Sequence, residues 1–309
     1  MYETFYGLHE KPFSLLPDPS FLYLGRPHSR AYAVLEYGVI SQAGFTVVTG
    51  EVGRGKTTLI RHLLTRVDTN VTVGLITNTA NVAGDLLRWI LLAFRQDYKN
   101  KEAVELREVF EDFLIAEYAA GRRTVLLVDE AQNLAIETLE ELRMLSNINA
   151  DKDLLLQLVL VGQPQLKAKL ERPELQQFAQ RISASYHLGT LSEAETVAYI
   201  HHRLTHAGAT KALFTAEACM VVHAHSGGVP RLINVLCDMA LVYGYAEAVP
   251  EIGEGILQAV LKDRSNGIQQ GNARARHVVP GANAAMGEGT APVFDREMAR
   301  ELFSSLRKK

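Results

Sequence analysis

Residues 50–57 match the pattern G-x-x-x-x-G-K-S/T at every defined position. An apolar run at residues 45–49 comes directly before them, and a helical pattern beginning at Thr58 follows. Glycines let such a loop fold with its N–H groups pointing inward, and the N-terminus of the next helix adds a partial positive charge. A chance glycine loop before a helix is the alternative interpretation. The complete match between a strand and a helix favours a phosphate-binding site.

Two side chains of this loop have defined roles when the phosphates belong to ATP. We expect the ammonium group of Lys56 to contact the β- and γ-phosphates, and the Thr57 hydroxyl to hold Mg²⁺. The predicted nucleotide-binding residues are Gly50, Glu51, Val52, Gly53, Arg54, Gly55, Lys56, Thr57, Thr58 and Asp129.

A pair of carboxylates, Asp129 and Glu130, follows the apolar run at residues 124–128. Ligand and catalytic groups of open α/β sheets collect at the carboxyl ends of the strands. Asp129 is predicted to hold Mg²⁺ together with Thr57, and Glu130 to orient the attacking water as a base. An acidic pair after an apolar strand is common by itself. Asp129 and Glu130 indicate a nucleotide site only because they follow the phosphate loop in the sequence. The presence of Glu130 predicts ATP hydrolysis in addition to binding.

The sheet that would position these residues is predicted from five short apolar runs. They alternate with helical patterns between residues 31 and 190, which is typical of βαβ units in a parallel sheet. Their continuous apolar character predicts strands that are covered on both faces. The predicted strands are residues 45–49, 71–77, 124–128, 155–161 and 184–188.

A small helical domain is predicted at residues 191–265. A capping box made by Ser192 and Glu195 opens its first helix. Thr215 opens a second helix, and Pro230 suits the first position of a third. The predicted fold class is therefore α/β, with a P-loop parallel sheet domain followed by a helical lid.

Three further segments complete the predicted organisation. Residues 1–30 contain many aromatic residues and prolines, which indicates an irregular arm packed on a core. Residues 266–290 are rich in glycine, alanine and asparagine, which is typical of a flexible linker. Apolar residues at a spacing of four predict a short amphipathic helix at residues 291–309, loosely docked or available to a partner.

Composition narrows the class of protein. The chain has 309 residues, a net charge of −3 and 47% hydrophobic residues, so a generally cationic nucleic-acid binder is not indicated. A local basic patch remains compatible with that total charge. The two cysteines provide neither a disulfide framework nor a zinc site. No secretory signal and no transmembrane segment is found, so we expect a cytoplasmic protein.

Several ordered motifs give the sequence a family resemblance. The chain resembles the ExeA-type (general secretion pathway protein A) AAA+ ATPases over about residues 1–265. Its relatives include the ATPase linked to exosortase and exopolysaccharide loci and the transposition-regulating ATPases. The motifs are YGL at 6–8, KPF at 11–13, PDP at 17–19, DEAQNL at 129–134, LEELRMLSN at 139–147, VGQPQL at 161–166, QRI at 180–182 and SGGVPRLIN at 226–234.

The resemblance implies two residues that sense the nucleotide. Gln163 matches the sensor 1 position, where a polar side chain can bond the γ-phosphate or the water; the alternative is a turn residue before Pro164. Arg231 matches the sensor 2 position at the start of a lid helix, where a guanidinium can report ATP against ADP. The alternative for Arg231 is a solvated helix arginine.

The resemblance also implies a residue that acts on a neighbouring subunit. Arg181 matches the arginine-finger region, which completes a neighbour's site across an oligomer interface. Arg172 is a nearby competitor, and an ordinary surface ion pair is the alternative role. In the arm, Leu8 and Phe13 are expected either to line an adenine pocket or to pack into a core.

The function implied is ATP hydrolysis in an oligomer, a hexamer or a filament, that drives or switches a partner. One expectation is a cell-envelope secretion or exopolysaccharide system with a membrane-associated protein partner. The alternative is an ATPase bound to duplex DNA that regulates a transposase, and a slow nucleotide-gated scaffold is a third. The transmembrane helix and cell-wall-binding domain of the secretion ATPase are not found, so we do not expect this chain alone to remodel peptidoglycan.

Overall fold

The computed structural model describes residues 1–40, 44–77, 79, 84–150 and 153–275. Within these residues, five strands form one parallel sheet in the order β2-β3-β6-β1-β7. The predicted α/β class is confirmed, and the predicted strand bounds differ from the observed ones by two residues at most. The strands are β1 (Phe45–Thr49), β2 (Val71–Ile76), β3 (Arg123–Val128), β6 (Leu156–Gly162) and β7 (Ile182–His187), with β4 (Asn149–Ala150) and β5 (Asp153–Leu154) paired antiparallel beside them.

Helices pack on both faces of the sheet. Leu35 and Leu59 belong to an apolar cluster on one face, and Phe110 and Leu139 to a cluster on the other. The first face carries α2 (Arg26–Ile40) and α3 (Lys56–Leu64). The second carries α4 (Leu86–Ala93), α5 (Ala103–Ala119), α6 (Ile136–Leu145), α7 (Pro164–Leu170) and α8 (Gln176–Ala179).

Coverage on both faces holds for the three central strands and not for the two at the edges. Every residue of β1 and β6 is buried, and so is β3 after its first residue. The prediction is wrong for β2 and β7, which are only partly buried. In β7 alternate residues face solvent, because Ser183, Ser185 and His187 occupy every second position.

The lid consists of α9 (Glu193–His206), α10 (Ala216–Ser226), α11 (Pro230–Ala246) and the part of α12 (Glu254–Ala275) up to Asp263. The predicted capping box opens α9, since the Glu195 N–H donates to the Ser192 hydroxyl and the Ser192 N–H donates to the Glu195 carboxylate. The Thr215 hydroxyl accepts from the N–H of Ala218 at 3.2 Å and opens α10. Both predicted helix starts are confirmed.

The arm is more regular than predicted. It contains α1 (Glu3–Tyr6) and a 3₁₀ turn at Pro19–Phe21, and α2 already begins at Arg26. Aromatic rings of the arm lie inside the core of the lid, where Phe13 is 1% exposed. Several aromatic residues of the arm are therefore part of the lid's hydrophobic core.

The chain divides into two compact units, Met1–Asp263 and Arg264–Lys309. In the second unit the backbone is helical as far as Ala275, so the linker prediction is wrong for residues 266–275. No proline interrupts the sequence in this stretch to end the helix. The rest of the predicted linker and the amphipathic segment at 291–309 lie outside the described residues. Among the helices of the described part, none has the length and apolar character needed to span a membrane.

Candidate active site

The loop between β1 and α3 takes a conformation that requires glycine. Gly53 has φ +79° and Gly55 has φ +90°, both in the left-handed region. A Cβ atom on Gly53 would lie 2.7 Å from the Cβ of Arg231. The loop residues Gly53 and Gly55 thus turn the chain sharply into the N-terminus of α3, where free N–H groups attract anions.

Lys56 is the first residue of α3, and its side chain lies inside the loop. Its Nζ atom donates to the carbonyl oxygens of Gly50 at 2.7 Å and Glu51 at 3.1 Å. Burial lowers the pKa of this ammonium group, while the charges of Glu130 and Asp129 act in the opposite direction. An anion in the loop would favour the charged form, as a phosphate-binding lysine requires.

Thr57 and Asp129 meet beside the loop. The Thr57 hydroxyl donates to Oδ2 of Asp129 at 2.9 Å, and the N–H of Glu130 donates to Oδ1 at 2.9 Å. Asp129 is 4% exposed, and burial raises the pKa of its carboxyl group. A hydroxyl and a buried carboxylate are hard oxygen donors that fit Mg²⁺, which usually keeps several waters and phosphate oxygens as its other ligands. In the part of the chain that is described, no cluster of three or more His, Cys, Asp or Glu offers a different metal site.

Glu130 follows Asp129 in an unusual backbone conformation. Its φ is +54°, a left-handed value that costs on the order of 1–3 kcal/mol for such a residue. The Thr79 hydroxyl donates to its carbonyl oxygen at 2.9 Å and helps to hold that conformation. The carboxylate stays partly exposed and lies in the wall of the same cavity as Lys56.

Gln163 lies close to Glu130, although the two follow different strands. Its Nε2 atom donates to Oε2 of Glu130 at 3.2 Å. The loop after β1, Gln163 after β6 and Glu130 after β3 are adjacent because β6 lies between β1 and β3. The structure brings together the residues predicted from three separate motifs, as expected at the carboxyl edge of a parallel sheet.

Arg231 extends this site into the lid. It stands in the first turn of α11, and its backbone N–H donates to the Gly53 carbonyl at 3.1 Å. Its side chain is exposed and lines the cavity that also contains Lys56 and Glu130. The lid and the phosphate loop are therefore in direct contact at Arg231.

One cavity, here called the P-loop cavity, runs from Lys56 and Thr57 to the arm and the lid. Its apolar wall comes from the arm residues Leu15, Leu16, Phe21, Leu22 and Tyr23. Leu8 and Phe13 do not line it; they are buried in the lid core, so packing is the correct alternative of the two expected. The arm supplies the cavity wall, but through residues that the sequence did not single out.

Other residues of the cavity were also missed. His28 of α2 is 4% exposed, and its Nε2 atom lies 2.9 Å from the Arg54 carbonyl. Burial lowers the pKa of this imidazole. From the lid, the cavity receives Tyr199, Arg203 and Asn234. No local motif identifies these residues, because their position depends on long-range packing of the arm between α9 and α11.

Arg181 does not lie in the P-loop cavity. It precedes β7, and its carbonyl accepts from the N–H of Phe45 at 3.1 Å, at the start of β1. The phosphate loop follows the carboxyl end of β1. The guanidinium of Arg181 therefore lies near the amino end of the strands, away from the loop. Its Nη1 atom donates to the Ser146 hydroxyl at 3.2 Å. The competitor Arg172 is exposed and pairs with Glu174 at 3.0 Å.

Sequence and structure comparisons agree on one class of protein. A family model described as an AAA domain matches residues 39–170. General secretion pathway protein A of Aeromonas hydrophila is 44% identical over 256 residues, which are 82% of this chain and 47% of that protein. The chain thus spans about half the length of this curated relative.

Two solved structures show the same fold at low sequence identity. The Aeropyrum pernix ORC2 protein in its ADPNP–ADP complexes has a TM-score of 0.61 and 19% identity, covering 82% of this chain and 71% of that one. CDC6P from Pyrobaculum aerophilum has a TM-score of 0.60 and 15% identity, covering 78% and 67%.

The sheet order, the glycine loop after β1, the carboxylates after β3 and the helical lid define a P-loop NTPase of the AAA+ class. Within that class, the chain belongs to the AAA+ ATPase family of general secretion pathway protein A.

Proposed function

We propose that this chain hydrolyses ATP with Mg²⁺ and uses the reaction, in an oligomer, to drive or switch a partner protein. The observation that carries this proposal is that Lys56, Thr57 and Glu130 line one cavity, with Asp129 bonded to Thr57. Each position supplies a group that phosphoryl transfer to water needs: a cation for the phosphates, oxygen ligands for Mg²⁺ and a base.

The proposed reaction is attack of water on the γ-phosphorus of ATP. The water oxygen forms a bond to the γ-phosphorus while the bond between the γ-phosphorus and the β–γ bridging oxygen breaks. The products are ADP and phosphate. Glu130 accepts the proton of the water, and Lys56 contacts the β- and γ-phosphates. Bound Mg²⁺, held by Thr57 and Asp129, would neutralise charge on the phosphate oxygens. The remaining predicted contacts to ATP come from the loop N–H groups between Gly50 and Thr58.

Two residues would couple the nucleotide to the rest of the chain. Gln163 bonds Glu130 and would act as sensor 1 for the γ-phosphate or the water. Arg231 stands in the first turn of α11, against Gly53, and would act as sensor 2. Because α11 belongs to the lid core, a change at Arg231 can rotate the lid.

The proposed oligomer, a hexamer or a filament, rests on Arg181. Its guanidinium lies near the amino end of the strands, too far away to reach the P-loop cavity of its own chain. Arg181 is partly exposed, although its guanidinium donates to Ser146. A neighbouring subunit placed against that edge would receive it as an arginine finger.

The proposed pathway is secretion or exopolysaccharide export at the cell envelope, with a membrane-associated protein partner. The support is the identity to a protein named for the general secretion pathway, of which this chain spans about half. We propose that the ATPase works in the cytoplasm, where ATP is available.

The first experiment compares ATP affinity and steady-state turnover in matched variants. We expect Lys56→Ala to lose ATP binding, because the loop then lacks its cation. Glu130→Gln should keep the ATP affinity within about twofold and lose turnover by roughly 10²–10⁴-fold. The control is Glu137→Gln, an exposed carboxylate in the first turn of α6. Normal turnover by a clean Glu130→Gln preparation would refute the assigned base.

The same assay, repeated with duplex DNA at two salt concentrations, tests the output. An envelope ATPase should turn over at a rate that DNA leaves unchanged. A rate that requires DNA and falls with salt would replace the proposed output with the DNA-bound regulator of a transposase.

A further inference from the structure

Gln132 lies in the 3₁₀ turn Ala131–Asn133, directly after the carboxylate pair. Its amide donates weakly to Asn133 Oδ1 at 3.5 Å and makes two shorter hydrogen bonds to residues that follow different strands. The Nε2 atom donates to Oε2 of Glu130 at 2.6 Å, and the Oε1 atom accepts from the backbone N–H of Gln163 at 2.9 Å. A single side chain thus links the residue after β3 to the residue after β6.

The space around this amide is closely defined. A Cβ atom on Gly162 would lie 2.8 Å from Oε1 of Gln132, so glycine at that position leaves room for the amide. The ammonium group of Lys169, in α7, donates to the carbonyls of Gln132 and Leu134 and fixes the turn that carries the amide. The amide is therefore held from its backbone as well as from both of its polar atoms.

Glu130 receives two amide donors on the same carboxylate oxygen. Gln132 and Gln163 both donate to Oε2, at 2.6 and 3.2 Å. No described residue donates to the other oxygen, Oε1, and Glu130 lines the P-loop cavity. The two donors restrict rotation of the carboxylate, so that one oxygen is occupied and the other can accept a proton from water. Such fixed orientation is what a general base needs, since geometry decides its efficiency.

We propose that Gln132 is a positioning residue for hydrolysis: its amide orients the carboxylate of Glu130 and ties it to the sensor turn at Gln163. This inference rests on the proposed ATP hydrolysis. The residue acts through Glu130 and does not line the P-loop cavity, so it affects the rate of the chemical step more than the affinity for ATP.

Two variants test the proposal: one replaces the amide of Gln132 with an apolar group, and the other replaces it with a carboxylate. Gln132→Met keeps the length and volume of the side chain without either hydrogen bond. Gln132→Glu keeps an acceptor for the Gln163 N–H but loses the donor to Glu130 and places a second carboxylate against it. We expect both variants to lower kcat by roughly 10–100-fold, with the ATP dissociation constant within about twofold of wild type. Gln165→Met, an exposed glutamine of α7, is the control and should match wild type.

The outcomes separate this inference from the proposed function. An unchanged or raised kcat in Gln132→Met overturns the positioning role. Wild-type kcat in Gln132→Glu also overturns it, because the bond to Gln163 alone would then suffice. Equal losses of kcat and ATP affinity with a lower thermal midpoint would show a structural role. If wild type and Gln165→Met themselves show no turnover that depends on Glu130, the proposed function fails first.

Discussion

Lys56 and Asp129 carry opposite charges, and their buried environment disfavours the charged form of each. Burial lowers the pKa of the lysine and raises the pKa of the aspartate, so each charged form is less favourable than in water. Bound phosphate would favour the ammonium group, and a bound divalent cation would favour the carboxylate. The site is therefore arranged so that ligand binding relieves a cost that folding has imposed.

A prediction at the residue scale concerns Gly53, where a Cβ atom would meet Arg231 at 2.7 Å. We expect Gly53→Ala to lower ATP affinity at least about tenfold, because the loop must move away from α11, and to cost about 1–2 kcal/mol of stability from its positive φ. The control is Gly121→Ala, with φ +72° and nothing within 4 Å of the added atom. It should show the stability cost and keep ATP affinity, measured by nucleotide titration and thermal unfolding. Unchanged affinity in Gly53→Ala would show that the close packing of the loop against α11 is not needed for ATP binding.

At the scale of elements, the arm connects the lid to the sheet domain. In the lid, Arg203 donates through Nε to the Pro12 carbonyl, and Asn234 donates to the Ser14 carbonyl at 3.3 Å. On the sheet side, Arg61 of α3 donates to the Pro17 carbonyl at 2.6 Å. Leu15 and Leu16, which lie between these anchors, form part of the apolar wall of the P-loop cavity. One short segment therefore both ties the lid to the sheet domain and lines the P-loop cavity.

Because the arm has both roles, substitutions at Phe13 and Leu16 are expected to affect different properties, stability at Phe13 and ATP affinity at Leu16. Phe13→Ala should cost about 3–5 kcal/mol of stability, because its ring is 1% exposed in the lid core. Leu16→Ala should change stability by no more than about 0.5 kcal/mol, because Leu16 is 79% exposed. It should nevertheless weaken ATP binding about threefold, through lost apolar contact. Denaturant unfolding and ATP titration of both variants check this; a large affinity loss in a stable Phe13→Ala protein would contradict it.

The sequence predicts elements whose signals are local. The strands, the helix caps at Ser192 and Thr215, and the phosphate loop are each specified by neighbouring residues, and all are found where expected. The arm could not be read in this way, since the burial of Phe13 depends on helices about two hundred residues further along the chain. Gln132 was visible within a recognised motif, but its bond to the turn after β6 depends on the order of the strands.

At the scale of the whole molecule, candidate functional residues lie at both ends of the central strands. The carboxyl edge carries Lys56, Glu130 and Gln163, and the amino edge carries Arg181 beside the start of β1. A chain with its site at one end of the strands and a partly exposed arginine at the other is suited to head-to-tail assembly. Such an interface between unlike surfaces generates rings or filaments.

The trans role of Arg181 is tested by mixing two inactive variants. Arg181→Ala subunits can bind ATP but lend no arginine, and Lys56→Ala subunits bind no ATP but still lend one. We expect the mixture to recover part of the turnover, and wild-type activity to rise more than linearly with protein concentration. Arg172→Ala in place of Arg181→Ala is the control, because Arg172 is held by Glu174. Turnover no greater than that of the separate proteins would point away from Arg181.

Strand β1 also fixes the distance between Arg181 and the phosphate loop. Its amino end is bonded to Arg181 and its carboxyl end opens into the phosphate loop, and both neighbours, β6 and β7, pair along its length. Five extended residues span about 17 Å and cannot stretch. The distance between the phosphate loop and the backbone of Arg181 is therefore nearly constant. In an assembly built through Arg181, this fixed length would set the spacing of successive sites, and only the lid and arm could change during the cycle.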